Sequence, residues 1–145
     1  MNISDNGIDL IKKFEGFRAE KYQDVAGNWT IGYGHEIKSG EEFDDAITEE
    51  QATELLEEDA SYAVDAVNQY VTVPLNQNQF DALVSFVYNI GEGAFAHCNG
   101  LAILNQGNYE GAIEHFEQFD HSGGVEVEGL EERRMAEAAL WNTQA

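Results

Sequence analysis

The sequence predicts a helix-dominated α+β domain, with a small sheet beside a helical bundle. Three observations carry that expectation. Apolar residues recur at helical spacing over most of the 145 residues. Aromatic and β-branched residues concentrate in one stretch, 21–35. A hydrophobic content of 43%, with 11% aromatic, is enough to fill a core, so the strong negative charge does not imply disorder.

The elements follow in order. Ser4 is the expected N-cap of a first helix in which Ile8, Ile11 and Phe14 form an apolar stripe. Gly16 supplies its stop and leaves Glu15 on the last turn. Lys21 to His35 reads as a hairpin about Ala26-Gly27-Asn28, with Gly32 and Gly34 marking a bend or close backbone approach. It is the only β element expected. Thr48-Glu49-Glu50-Gln51 is a capping box that opens one long amphipathic helix, carried by Ala52, Leu55, Leu56, Ala63, Val64 and Val67 and ending before Pro74. Asn76 to Gln79 cap a second helix, whose Phe80, Leu83, Val84, Phe86, Val87 and Ile90 are dense enough for burial nearly all round. Gly91-Glu92-Gly93 breaks it. Shorter helices are expected over 100–106 and 109–119, a loop at Gly123-Gly124, and a last helix from about Leu130 to Trp141.

Composition excludes several classes. No apolar run approaches the ~20 residues of a membrane span, and Met1-Asn2-Ile3-Ser4-Asp5 lacks the pattern of a secretory signal. The single cysteine, Cys98, rules out an internal disulfide and a cysteine-rich zinc site. The net charge is −21. Residues 41–132 contain 21 acids and no Lys or Arg, so every cation lies near one end of the sequence. Such a polyanion repels nucleic acid and anionic lipid, and neither is an expected partner. The charge serves either solubility or life in high salt, where ions screen self-repulsion; depletion of lysine alongside enrichment of acid favours the second.

Chemistry concentrates between Glu15 and His35, in the spacing E-x8-D-x5-T through Glu15, Asp24 and Thr30. A hairpin folding back on the helix brings a helix-end carboxylate, a turn carboxylate and a strand hydroxyl toward one cleft. Glycoside hydrolysis needs two such carboxyl groups, one protonated and one ionised. Glu15, flanked by Phe14 and near a helix C-terminus, is expected to favour the neutral form, although Arg18 opposes this. Asp24, in a polar turn, is expected to stay ionised. A metal site is not expected, because His35, His97, His115 and His121 form no ligand-spaced set, and His97-Cys98 offers only two neighbours.

Phe14-Glu15-Gly16 followed by Tyr22-x-Asp24-x-x-Gly27-x-x-Thr30-Ile31-Gly32-Tyr33-Gly34-His35 closely resembles the signature of phage-type lysozymes, the endolysins of glycoside hydrolase family 24. Two further blocks resemble its lambdoid branch: Leu75 with Gln79-Phe80-Asp81-Ala82-Leu83-Val84-Ser85-Phe86, Asn89 and Gly91, and Gly129-Leu130 with Arg133-Arg134, Glu137 and Leu140-Trp141. The resemblance spans essentially the whole chain. It implies a lysozyme-like fold, 1–145 as one domain, with a hairpin subdomain at about 16–47 and a helical lobe of 1–15 and 48–145 joined by the long helix after Thr48.

It also implies roles. Glu15 would be the general acid, Asp24 the base or stabiliser on the opposite face of the sugar, and Thr30 a holder of the attacking water. The bond cut would be the β-1,4 link between N-acetylmuramic acid and N-acetylglucosamine, with inversion and a carboxyl gap of ~6.5–9.5 Å. Tyr22, Tyr88 and Asn89 become candidate sugar contacts, with core packing for Tyr88 and capping for Asn89 as the alternatives. His35 is expected to pin the hairpin through Asp59. Arg133 and Arg134 either reach the acids of the first helix or balance Glu131, Glu132 and Glu137. The implied partner is peptidoglycan glycan, with no cofactor, no membrane association and a monomeric state. The implied location is the host cytoplasm until a holin opens the membrane. The acidic charge and Ala96-His97-Cys98-Asn99-Gly100, in place of a usual Ser-Thr pair, depart from the family. A non-enzymatic decoy on the same scaffold and a glycosidase acting on chitin-like chains are the competing readings.

Overall fold

Where the chain first turns helical, the hydroxyl of Ser4 reaches a carboxylate far along the sequence. The computed structural model describes residues 1–119, 121, 122, 125, 126 and 128–144. In it α1 (Asp5–Glu15) begins at the expected place, but Ser4 donates its hydroxyl and its backbone N–H to the carboxylate of Asp81. Asp81 is fully buried and also accepts from Gln77 Nε2 at 2.8 Å. A buried carboxylate needs such donors, and the residue just ahead of α1 supplies two of them. Gly7 packs against the same residue, since a Cβ there would meet Asp81 Cβ at 2.9 Å.

The described chain falls into two units, residues 11–61 and residues 1–10 with 62–145. In the first, β1 (Arg18–Gln23), β2 (Trp29–Gly32) and β3 (His35–Glu36) form an antiparallel sheet in the order β1-β2-β3, with Tyr22 opposite Thr30 and Ile31 opposite His35. The helix α2 (Glu49–Asp59) packs on β2 and β3. Its Thr48–Gln51 capping box forms as expected, and Ala52, Leu56, Ile31 and Ile47 are all buried in this unit. Because α2 covers the sheet, this unit extends well beyond the hairpin itself.

The second unit is helical. After α3 (Ser61–Tyr70), α4 (Gln77–Ile90) is capped by Asn76 and Gln79, and Phe80 through Val87 are buried without interruption. Gly91, at φ +95°, ends it. The helices α5 (Glu92–His97), α6 (Asn99–Asn105) and α7 (Tyr109–Glu117) follow, and α8 (Glu128–Trp141) packs on α4 and α7. Phe86 is the aromatic hub, 4.8 Å from the ring of Phe116, 5.3 Å from Phe119 and 6.4 Å from Phe95. Each such side chain contributes about 1.5–3 kcal/mol by leaving water.

Three expectations need correction. The single long helix after Thr48 is two helices, because the Ser61 hydroxyl donates to the Glu58 carbonyl at 2.7 Å and takes an acceptor the next turn would use. The interval after Gly91 holds a further helix, α5. The hairpin is not the sole β element, since β4 (His121–Ser122) pairs with β5 (Val125–Glu126). The loop expected at Gly123-Gly124 lies outside the described residues. No helix among the described residues is long and apolar enough to cross a membrane.

Candidate active site

The three residues of the E-x8-D-x5-T spacing all belong to the sheet-bearing unit. Glu15 is the last residue of α1, half-buried, and Gly16 at φ +74° turns the chain away with its N–H on the Lys12 carbonyl at 3.0 Å. Glu15 Oε1 lies beside Gly34, where an added Cβ would stand only 3.1 Å from that oxygen. Gly34 has φ +78° between β2 and β3, so both its conformation and its lack of a side chain are required there.

Asp24 organises the hairpin turn. Its Oδ1 accepts from the backbone N–H groups of Ala26 and Asn28, each at 2.9 Å, and its own backbone pairs with Asn28 and Gly27. Gly27 supplies the positive φ the turn demands. No bond among the described residues engages Oδ2, so one carboxylate oxygen is fixed and the other is open. Thr30 is buried on β2, and its hydroxyl donates to the Asn28 carbonyl at 3.1 Å. With its proton committed, the oxygen can still accept. Tyr22, opposite Thr30, is half-buried with the Arg18 guanidinium 4.4 Å over its ring.

Two polar clusters brace this unit. His35, almost fully buried, meets Asp59 Oδ2 through Nδ1 at 2.7 Å and both oxygens of Glu41 through Nε2 at 3.1 Å. Burial works against the imidazolium, but the hydrogen bonds and charges of Asp59 and Glu41 outweigh it, so the His35 pKa is raised above its ordinary value. Glu41 had no sequence signal. Glu49 accepts from Lys12 and Tyr33, both at 2.9 Å, and from Thr53 at 3.1 Å. These donors, Lys12 first, hold the Glu49 pKa below its ordinary value. The cluster ties the second half of α1 to α2 one turn from Glu15.

Tyr88 and Asn89 belong to the helical unit. Tyr88 is half-buried, its ring 6.2 Å from that of Tyr62 and its carbonyl accepting the Tyr62 hydroxyl at 3.0 Å. Asn89 is exposed on the last turn of α4, and its Oδ1 accepts from Arg134 Nη2 at 2.8 Å. Arg133 and Arg134 are both buried and share Glu137: Arg134 Nε is 2.7 Å from Oε1 and Arg133 Nε 3.4 Å from Oε2. Ser85 donates its hydroxyl to the same carboxylate at 2.5 Å. Burial pushes the Glu137 pKa up against the pull of the two guanidiniums and Ser85. Glu137 therefore partners both arginines. Its burial, and the part played by Ser85, could not be read from spacing.

Among the described residues no group of three or more His, Cys, Asp and Glu is arranged to hold a metal ion. His97, Cys98 and His115 line a hollow of about 470 Å³ together with Phe119. Burial raises the Cys98 pKa, so its thiol is kept in the unreactive protonated form.

Similarity to known proteins fits this geometry. Residues 12–137 match the family model described as phage lysozyme. The chain is 42% identical over 147 aligned positions to an endolysin of Acyrthosiphon pisum secondary endosymbiont phage 1, covering 99% of each. It is 44% identical to an endolysin of Bacillus phage PZA, but spans only 56% of that longer relative. The muramidase domain of SpmX from Asticaccaulis excentricus superposes with a TM-score of 0.88 at 39% identity, covering 99% of each chain. A match over most of the chain in sequence, and over nearly all of it in structure, leaves one assignment: the chain belongs to the phage lysozyme family and is a glycosidase of the lysozyme kind.

Proposed function

We propose that this protein is an endolysin that hydrolyses the β-1,4 bond between N-acetylmuramic acid and N-acetylglucosamine in bacterial peptidoglycan. Glu15 is the general acid that protonates the glycosidic oxygen. Asp24 acts from the other face as base or stabiliser, and Thr30 accepts a hydrogen bond from the attacking water. The observation that carries this reading is the division of labour along β2. Glu15 Oε1 lies against Gly34 just past one end of the strand, Asp24 closes the turn before the other end, and Thr30 lies between them.

The hydrogen bonds suit the chemistry. Asp24 keeps Oδ2 open while the turn amides hold Oδ1, so it can orient a water without losing its own position. Thr30, with its proton on Asn28, can only accept from that water, which leaves the water's lone pair for the anomeric carbon. Two carboxylates held at opposite ends of a strand suit the wider gap of an inverting enzyme. His35, held by Asp59 and Glu41, steadies β3, and Tyr22, Tyr88 and Asn89 are the proposed sugar contacts. The enzyme works as a monomer on glycan strands, without a cofactor, and reaches them when a holin releases it from the cytoplasm.

The test is hydrolysis of purified peptidoglycan with product mass spectrometry and anomer-resolved detection. Expected are reducing-end muramic acid products of inverted configuration. Glu15→Gln should lower the rate at least ~100-fold, the scale of general acid catalysis. Products ending in glucosamine, or full activity of Glu15→Gln, would overturn the assignment.

A further inference from the structure

Arg18 is an exposed cation in a chain of 28 acids, yet no carboxylate among the described residues forms an ion pair with it. Its guanidinium lies instead 4.4 Å over the ring of Tyr22. A regular strand would hold these two residues about 13 Å apart, since each step along it advances about 3.3 Å. The register explains how they meet. Arg18 pairs with Gly32 and Tyr22 with Thr30, so four steps along β1 are matched by two along β2. The excess forms a bulge, a feature that bends a strand and re-aims its side chains. Here it folds Arg18 back onto Tyr22.

The ring decides where the cation stands. Tyr22 and Thr30 lie directly opposite on antiparallel strands, so their side chains share one face of the sheet. Lys21 makes the contrasting contact. It stacks 5.0 Å over Trp29, which precedes Thr30 on β2 and so points to the other face. Stacking engages only the flat side of a guanidinium, and its edge keeps the fork of N–H donors that matches a carboxylate. All of these residues belong to the sheet-bearing unit, with Glu15 and Asp24.

We propose that Arg18 is a specificity-determining residue that binds a carboxylate carried on the lactyl ether of muramic acid. This rests on the muramidase reading above and deepens it. N-acetylmuramic acid differs from N-acetylglucosamine in that ether alone. Its carboxyl group is either free or extended by a peptide that bears carboxylates of its own, whereas a chitin-like strand carries no anion. A cation held by stacking, and left unpaired by the protein's own acids, tells the two polymers apart. The net charge of −21 works against any anionic strand, so a local contact has to supply the preference.

The experiment measures kcat and KM for the parent, Arg18→Gln, Arg18→Lys and Lys21→Gln on three substrates. These are strands with their peptides, strands stripped to the lactyl carboxylate, and stripped strands whose carboxylate has been converted to a carboxamide. Arg18→Gln should raise KM about 3–10-fold on carboxylate-bearing strands, the scale of one partly exposed charge-assisted pair. Its kcat should change little, and its KM on amidated strands should match the parent's. Arg18→Lys keeps the charge without the planar fork and should recover part of the loss. Lys21→Gln removes the same charge from the other face and should leave all three KM values unchanged. A rise confined to strands with peptides assigns the contact to a peptide carboxylate, and one that persists on stripped strands assigns it to the lactyl group. No rise in Arg18→Gln, an equal rise on amidated strands, or an equal effect of Lys21→Gln would overturn the proposal and leave the muramidase reading standing. Failure of the parent to cleave any of the strands would instead defeat that reading, and this inference with it.

Discussion

At the scale of single residues, His35 links stability to pH. It is gripped on one ring nitrogen by Asp59 and on the other by Glu41, with the Phe43 ring 5.9 Å away. Its pKa is raised in the folded state, so its stabilising contribution is fully present below the unfolded value of about 6.5 and is lost as pH rises through the folded value. Thermal unfolding should show a parent more stable than His35→Asn by about 1.5–3 kcal/mol at pH 5–6, with the gap closing toward pH 9. A gap that stays constant over that range would rule out the charged imidazole as its source. Glu137 illustrates a different rule. Removing a buried acid shared by two buried guanidiniums leaves both uncompensated, so Glu137→Ala should destabilise by about 3–5 kcal/mol in denaturant titration. The sequence offers both arginines and Glu137, but only burial distinguishes a costly deletion from a harmless surface one.

At the scale of elements, turns position the chemistry. Gly34 connects β2 to β3 with φ +78° and leaves its Cβ space to Glu15. Gly34→Ala adds about 1 kcal/mol of left-handed strain and crowds the Glu15 carboxylate. The expected outcome is a lytic rate that falls far more than stability does. Equal losses in both would show that the residue serves the fold alone. Gly107→Ala is the control, since it bears a similar φ of +87° in the helical unit and has nothing within 4 Å of its Cβ position. Element identity was legible wherever a pattern repeats: the capping boxes at Thr48 and Asn76 and the buried run of α4 all form where spacing put them. It was illegible at interruptions. A single hydroxyl, that of Ser61, divides α2 from α3, and an apolar stripe continues through such a break unchanged.

At the scale of the whole molecule, the charge of −21 sets the conditions of work. On α2, Glu49, Glu50, Glu54, Glu57 and Glu58 are all exposed, and mutual repulsion between such groups is felt over ~30 Å at 0.01 M salt but only ~3 Å at 1 M. Raising salt across that range should increase both the unfolding midpoint and the lytic rate, each recovered kcal/mol being worth about 3–5 °C in a chain of this size. Scanning calorimetry and turbidity clearing in matched salts measure the two, and a flat or falling response in both would reject adaptation to salt. By itself the sequence determined the class of fold, the family, the acidic character and the E-x8-D-x5-T set, because periodicity, charge and motif spacing are properties of neighbours along the chain. Only the tertiary structure decided that Glu41 joins Asp59 on His35, that Asp81 takes the hydroxyl of Ser4, and that Arg134 donates to Asn89. Those pairings join residues up to 77 positions apart. Burial makes each one obligatory, since a polar group removed from water must find its partner wherever the packed chain supplies one.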